Sequence, residues 1–254
     1  MKIKMMVAAH KKYQMPEDQA YYPVHVGAEG KDSIGYVPDN KGDNISAKNP
    51  NYCELTGLYY MWKNEEYDVL GLAHYRRYFI NKKVKGDKWE KILTTNNIKS
   101  IMKHTDIVLP KKRNYFIETN YSQYVHAHHA IDLDTTREII AEKHPEYLDA
   151  YDKSMKKTSG HRFNMFIMKK QYADEYCEWM FDILFELEKR LDISDYSVND
   201  ARVFGFVSER LIDVWINTKG YDYKELPVQF MEDVNWWVKG TNFLKRKFFK
   251  KKDN

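Results

Sequence analysis

The sequence predicts an α/β fold in which a mixed, mostly parallel sheet is flanked by helices. Short apolar runs typical of strands alternate with segments of helical spacing through the first two thirds of the 254 residues. Such alternation is typical of a sheet that is covered on both faces. The clearest strand, residues 68–73, is a nearly continuous apolar run, as in strands buried on both faces. We expect one domain over residues 1–230, followed by a basic amphipathic tail over residues 231–254.

The first part of the chain is predicted to form a strand, a long loop and a helix. The apolar residues 3–9 form the opening strand. Residues 27–50 hold four glycines among Pro, Asp and Asn, and loops of this length often bind ligands. Apolar residues at helical spacing predict a helix over residues 52–64, with Asn51 as N-cap and Glu54 at the capping-box position.

The rest of the domain continues the alternation of strands and helices. Apolar runs of four to six residues predict further strands, one of which Pro110 stops. Apolar residues at helical spacing predict the helices that cover the sheet. The helical stretch over residues 122–156 is expected to break near Asp132 and Pro145. The remaining predicted elements are strands at 106–109 and 163–168, short helices within 87–103 and 122–156, and long helices at 171–190 and 200–217.

Composition excludes several classes of protein. Cys53 and Cys177 have no CxxC neighbour, so we expect buried thiols and neither a disulfide framework nor a zinc site. No apolar run is long enough for a membrane span, and the charged N-terminus does not suit a signal peptide, so we expect an intracellular protein. The net charge is +4, yet residues 239–254 hold seven Lys or Arg against one Asp. A nucleic-acid-binding domain spreads its cations over a folded face, so we expect no nucleic acid partner.

The basic tail also contains Trp236, Trp237 and several Phe residues. Aromatic anchors beside clustered cations favour adsorption on an anionic membrane surface. A tail that stays free in solvent is the other interpretation.

Basic and aromatic residues follow the strand over residues 68–73. His74, Arg76 and Arg77 stand at its carboxyl end, where ligands bind in open α/β sheets. The planar guanidinium fork matches phosphate oxygens, so the cluster predicts an anion site. Ion pairs with surface carboxylates are the alternative. His10 and Lys11 follow the first strand, and the two strand ends together predict one basic crevice.

Four segments of the chain resemble a known family. They are NYCELTGLYYMWKN, YDVLGLAHYRRYF, FNMFIMKKQYADEYCEWMFDILFELE and FGFVSERLIDVW, within residues 2–230. This combination resembles the bacterial glycosyltransferases of capsular and exopolysaccharide synthesis that were long filed as a domain of unknown function. The resemblance implies a GT-A-like, Rossmann-like fold and transfer of a sugar, with galactofuranose as the leading candidate, from a UDP donor to a lipid-linked oligosaccharide. It also implies a cytoplasmic protein peripheral to the inner face of the cell membrane.

The resemblance gives the basic cluster a specific role. GT-A enzymes place an Asp-x-Asp motif and a divalent cation at the donor diphosphate. This chain has His74, Arg76 and Arg77 at that place, and fixed cations stabilise a leaving diphosphate in the same way. We therefore expect donor binding by His10, Lys11, His74, Arg76, Arg77 and Asn164, without a metal. The alternative metal site is Asp132 with Asp134, which would hold Mn²⁺ or Mg²⁺, although Asp residues there also suit the first turn of a helix.

Inverting transfer requires a base for the acceptor hydroxyl. Glu209, near the start of a late helix, is the predicted catalytic base, together with His74 in the catalytic site. Asp200 is a second candidate, and so are His128 and His129, but capping or ordinary hydrogen bonding explains these three as well.

Three polar residues precede or begin the predicted strand over 163–168. Asn164 is expected to contact the donor sugar, or else to bond backbone, because a polar side chain in an apolar strand needs a partner. His161 and Arg162 are expected to bind the acceptor. The alternatives to this function are a pyranosyl transferase of the same fold and a protein that is not an enzyme. In the second case, the chain would be a scaffold or phosphate-binding module of a polysaccharide-assembly complex.

Overall fold

The computed structural model describes residues 1–232 and confirms the predicted α/β fold. Eleven strands occur in this part of the chain, nine of them in one sheet. The strands are β1 (Ile3–Ala9), β2 (Tyr21–His25), β3 (Val37–Pro38), β4 (Val69–His74), β5 (Arg77–Phe79), β6 (Ile107–Pro110), β7 (Arg113–Asn114), β8 (Ser159–Gly160), β9 (Phe166–Lys169), β10 (Lys224–Leu226) and β11 (Val228–Phe230).

Eight α-helices accompany these strands within residues 1–232. They are α1 (Asn49–Tyr52), α2 (Leu55–Asn64), α3 (Thr95–Ile101), α4 (Asn120–Val125), α5 (Ala130–Lys143), α6 (Leu148–Lys156), α7 (Lys170–Arg190) and α8 (Val203–Lys219). Short 3₁₀ turns at Ser46–Lys48, Pro145–Tyr147 and Asp200–Arg202 lead into α1, α6 and α8.

The main sheet is mixed, in the order β10-β6-β9-β4-β1-β2-β3. β1 runs parallel to β2 and to β4, whereas β9 runs antiparallel to β4 and β6. β5 folds back on the end of β4 and pairs with β11. After β1 the chain forms β2 and β3 on one side of β1, and it then crosses back to form β4 on the other side of β1. The carboxyl ends of β1 and β4 therefore form a topological switch point, where open α/β sheets bind their ligands.

Alternating side chains bury both faces of the central strands. Met6 and Leu72 pack into the core on the face covered by α2, α7 and α8, while Met5 and Val7 pack into the core on the opposite face. Gly71 lies where β4 passes close to β1, and a Cβ there would collide with the Met5 side chain. This two-sided burial explains why the apolar run of β4 lacks the polar alternation of a half-exposed strand.

The structure corrects several predicted elements. The helix predicted over 52–64 is divided at Cys53, whose φ of 53° interrupts it, and Glu54 makes no capping hydrogen bond. The two short helices predicted within 87–103 are one helix, α3, which begins at a Thr94 capping box. The break predicted near Asp132 falls at residues 126–129, and α5 runs through Asp132.

The strand predicted over 163–168 is also shorter than expected. Phe163 and Asn164 have φ values of 76° and 54°, so the chain turns there before β9 begins. The long helices are confirmed, with α7 starting one residue earlier and α8 following a 3₁₀ turn. Apart from residues 231 and 232, the predicted basic tail lies outside the described residues.

Candidate active site

A cavity of about 570 Å³ opens at the switch point between β1 and β4. Its walls come from the two strand ends, from the loop and helix that carry Asn49 and Glu54, and from the segment before α8. The lining residues are Ala8, Ala9, His10, Val26, Asn49, Pro50, Cys53, Glu54, His74, Tyr75, Arg76, Val198, Ala201 and Arg202. The cavity thus lies where the sequence predicted a crevice, and we call it the strand-end cavity.

A hydrogen-bonded carboxylate faces the strand-end cavity. The Asn164 amide donates to Glu54 Oε1 at 2.8 Å and to the Gly205 carbonyl at 3.2 Å, while Ser208 Oγ donates to Asn164 Oδ1 at 3.0 Å. Both donor hydrogens of the amide are therefore occupied by protein. The left-handed backbone of Asn164 orients this side chain, and strained backbone is typical of functional sites. A contact between Asn164 and a donor sugar stays a prediction.

His74 lies beside this carboxylate. Its Nε2 is 2.7 Å from the Phe163 carbonyl and 3.9 Å from Glu54 Oε1. Burial lowers the pKa of His74, more than the nearby Glu54 carboxylate raises it. The ring is then neutral at neutral pH, so Nε2 donates to the carbonyl and Nδ1 is the acceptor.

The two adjacent arginines point to different places. Arg76 lines the strand-end cavity, lies over the Tyr75 ring, and its Nη1 is 3.3 Å from Glu232. Arg77 does not line the cavity, and its guanidinium lies 4.4 Å from the Phe163 ring centroid and 5.5 Å from that of Phe230. The sequence predicted that both guanidiniums face one anion site, but in the structure Arg76 alone of the two faces the cavity.

Arg77 is a largely buried cation. Burial lowers its pKa, while the charges of Glu209 and Glu54 raise it. Its Nε is buried and has no hydrogen-bond partner within residues 1–232. A buried guanidinium needs compensating charge, and these two carboxylates provide it.

Arg202 was missed by the sequence analysis and supplies a second guanidinium to the cavity lining. Its Nε donates to Cys53 Sγ at 3.1 Å, and the guanidinium lies 5.2 Å from the Phe206 ring centroid. Burial, followed by the charge of Glu54, raises the pKa of the Cys53 thiol to about 11, so the thiol is protonated at neutral pH. Arg202 precedes α8 in a polar stretch, and nothing in that stretch distinguishes it from a surface arginine.

The end of β1 contributes His10 to the cavity. His10 packs edge-on against Tyr13 and Tyr75, whose rings stack at 3.6 Å. Burial and the neighbouring Lys11 and Arg76 charges lower the pKa of His10. Lys11 itself is exposed and lies over the Tyr13 ring rather than in the lining. Donor contacts of either residue stay predictions.

The acidic and histidine candidates of the later helices occupy separate positions. Glu209 is partly exposed on α8, and its Oε2 lies 3.4 Å from Arg210 Nη1. The negative charge of Glu209 acts to raise the pKa of Arg77 and of His74. Asp200 accepts from His128 Nδ1 at 2.9 Å and from Ser197, so it is a paired carboxylate at the entry to α8. His129 stacks on Tyr196.

His161 and Arg162 are buried in a polar network. His161 Nδ1 is 2.6 Å from Asp213 and its Nε2 is 3.1 Å from Glu225. Arg162 donates to the His161 carbonyl, to Asn120 and to the Tyr115 hydroxyl. Since both side chains are at most 3% exposed, no contact here supports the predicted acceptor role.

Asp132 and Asp134 do not fit a shared metal site. Asp132 is 1% exposed in the first turn of α5, and its two oxygens accept from the Tyr124 and Tyr196 hydroxyls. Asp134 points away from Asp132, because residues two apart on a helix face different directions. It accepts a hydrogen bond from the Tyr121 hydroxyl and lines a cavity separate from the strand-end cavity. Within residues 1–232, no group of three or more His, Cys, Asp or Glu side chains is arranged to hold a metal. Nor does any helix there have the length and apolarity of a membrane span.

Comparisons with known proteins agree with this architecture. The family described as a domain of unknown function (DUF4422) matches residues 4–220. A solved structure, the apo form of the bifunctional glycosyltransferase WbbM, superposes with a TM-score of 0.85 at 32% identity. The match covers 92% of this chain and 46% of that one, so this chain spans about half the length of the solved protein. No curated protein matches the chain.

Proposed function

The chain belongs to the DUF4422 family, and from this membership together with its strand-end cavity we propose that it is a glycosyltransferase. The observation that carries the proposal is the convergence of Arg76, Arg202 and the hydrogen-bonded Glu54 on one cavity. Two guanidiniums suit a diphosphate, and a fixed carboxylate suits a general base. The fold, shared at 32% identity with the bifunctional glycosyltransferase WbbM, supports the same reaction class.

We assign the donor diphosphate to the two guanidiniums of the cavity. Arg76 and Arg202 line the cavity as cations, and they would stabilise the charge that develops on the departing nucleotide diphosphate. His10 and the stacked Tyr13 and Tyr75 form the wall beside Arg76, and we assign the nucleotide to that side. This arrangement supplies positive charge where other GT-A enzymes use a divalent cation.

We assign the base to Glu54. Its carboxylate would take the acceptor hydroxyl proton as the acceptor oxygen bonds to the sugar carbon and the bond to diphosphate breaks, with inversion. Asn164 holds the carboxylate in place through its 2.8 Å hydrogen bond, and Ser208 holds Asn164. Glu209, the base predicted from the sequence, then serves to balance the buried charge of Arg77.

We propose UDP-galactofuranose as the first donor to test and a lipid-linked glycan as acceptor, at the cytoplasmic face of the membrane. The support is the resemblance of the HYRRYF and NMFIMKK segments to polysaccharide glycosyltransferases, in which galactofuranose transfer is expected. A pyranose donor would fit the same cavity chemistry.

A panel of nucleotide sugars tests the proposal. A ligand that binds only the native state raises the melting temperature by mass action. At a free ligand concentration of about 100 times Kd, the free energy of unfolding rises by about 2.7 kcal/mol. We expect a UDP-sugar to raise the melting temperature, and more than the free sugar does. No shift with any nucleotide sugar would instead favour a non-catalytic scaffold of a polysaccharide-assembly complex.

A further inference from the structure

We propose that the folded domain binds an anionic lipid bilayer through the loop of residues 111–117, which we call the contact loop. It connects β6 to the segment before α4 and has the sequence KKRNYFI. The inference does not depend on the transfer reaction proposed above.

Two large apolar side chains protrude side by side from the contact loop. Phe116 is 81% exposed and Ile117 is 75% exposed. Single exposed apolar residues are common in proteins, but an adjacent pair of this size is a candidate interaction surface. A short protruding tip, rather than a groove, suits insertion into a bilayer interface.

The backbone holds this tip outward at a conformational cost. Phe116 has a φ of 60°, which is strongly disfavoured for a bulky residue. Its N–H donates to Asn114 Oδ1 at 2.7 Å, and the Tyr115 N–H donates to the Thr158 carbonyl at 2.7 Å. Strain of this kind persists where the surrounding structure imposes it, often at functional sites.

The surroundings of the tip are positively charged. Five cations flank it on the contact loop and at the end of α6, and all are exposed: Lys111, Lys112, Arg113, Lys156 and Lys157. The two segments are joined by the hydrogen bond from the Tyr115 N–H to the carbonyl of Thr158, which directly follows Lys157. The nearest carboxylate in sequence, Glu118, is 7% exposed and bonded to His126. An apolar tip among Lys and Arg matches an apolar layer beneath anionic headgroups.

The contact loop is also close to the candidate active site. β7 within it pairs with β8, which leads directly to Phe163, and the Arg113 guanidinium lies 5.5 Å from the Phe163 ring centroid. Phe163 in turn accepts the His74 hydrogen bond through its carbonyl. A bilayer on this loop would therefore lie beside the site.

Vesicle binding of the full chain, without any nucleotide sugar, tests the proposal. We expect binding to phosphatidylcholine vesicles that contain phosphatidylglycerol and little binding to vesicles without it. Ile117→Ser should weaken vesicle binding about tenfold, because it removes one aliphatic side chain that the bilayer would bury. Ile131→Ser is the matched control, since Ile131 is 54% exposed on α5 outside the contact loop, and it should bind as wild type.

A site-specific probe separates the contact loop from the basic residues beyond 232. Ile117→Cys and Ile131→Cys, each labelled with an environment-sensitive fluorophore, share the same background from Cys53, since Cys177 is buried. We expect anionic vesicles to shift the emission to the blue for the label at 117 and not for the label at 131. An unshifted label at 117, or equal shifts at both positions, would overturn the proposal whatever the total binding.

Discussion

Replacing Glu54 by Gln should abolish most of the catalytic rate while leaving the fold and donor binding intact. Glutamine has the same shape, and its Oε1 can still accept from the Asn164 amide, which now lies 2.8 Å away. The substitution therefore removes the negative charge and the basicity but keeps the hydrogen bond. Loss of a general base costs a factor of about 10²–10⁴, which is about 3–5.5 kcal/mol of activation free energy.

The assay is release of the nucleotide diphosphate at saturating donor and acceptor, with kcat and KM measured separately. An interaction made only in the transition state lowers kcat and leaves KM for the donor near wild type. Asn164→Ala should have a smaller effect, about tenfold to 100-fold, because it removes one hydrogen bond to a charged group and leaves the base in place.

Glu209→Gln is the control, since it makes the same chemical change on α8. We expect a loss of about tenfold or less, because Glu209 acts on the site through the charge of Arg77. Wild-type kcat in Glu54→Gln, or a larger loss in Glu209→Gln than in Glu54→Gln, would refute the assignment of the base.

Three further predictions concern stability and cofactor use. Arg77→Met should lower the free energy of unfolding by about 1–3 kcal/mol, because it removes a cation that packs on two rings and is balanced by the charges of two carboxylates. Denaturant titration should show that adding Glu209→Gln restores part of the loss. Burial lowers the pKa of four histidines, His10, His25, His74 and His128. Because the unfolded chain then binds more protons than the folded one, thermal melts should show stability falling as the pH drops below about 6.5. A flat stability profile between pH 7.5 and 5.5 would contradict this. Nucleotide release should survive a chelator, and loss of turnover that Mn²⁺ restores would show that Arg76 and Arg202 do not replace a metal.

The central sheet and the location of the cavity were accessible from the sequence. The run that forms β4 is apolar because both of its faces are buried, and the change to His74 and Arg76 marks its carboxyl end. β1 carries the same signal and is followed directly by His10. Parallel pairing of these two strands brings their ends together, so the predicted crevice follows from the topology.

The position of Glu54 could not be predicted, because its local pattern is that of a helix start. Asn51 and Glu54 match the capping box, but Cys53, whose φ is positive, breaks the helix and redirects the carboxylate toward Asn164. A positive φ in a non-glycine residue depends on tertiary contacts, which local spacing does not reveal. The same reason explains why the turn at Phe163 was predicted as part of a strand.

The divergence of Arg76 and Arg77 also required the structure. β5 is three residues long and begins at Arg77, directly opposite His74. A strand this short leaves no periodic pattern, and its partner β11 lies some 150 residues away in the chain. Only the hairpin shows that adjacent residues in the sequence face different parts of the molecule.

Direct titration of UDP into the protein tests the central claim that the strand-end cavity binds the nucleotide of a sugar donor. The account predicts saturable binding to the wild type and at least about tenfold weaker binding to Arg202→Ala, because one charge-assisted contact to diphosphate is lost. Arg137→Ala is the matched control, since that guanidinium is bonded to Asp152 and is not part of the cavity lining. No binding to the wild type, or equal affinity in Arg202→Ala and Arg137→Ala, would contradict the claim.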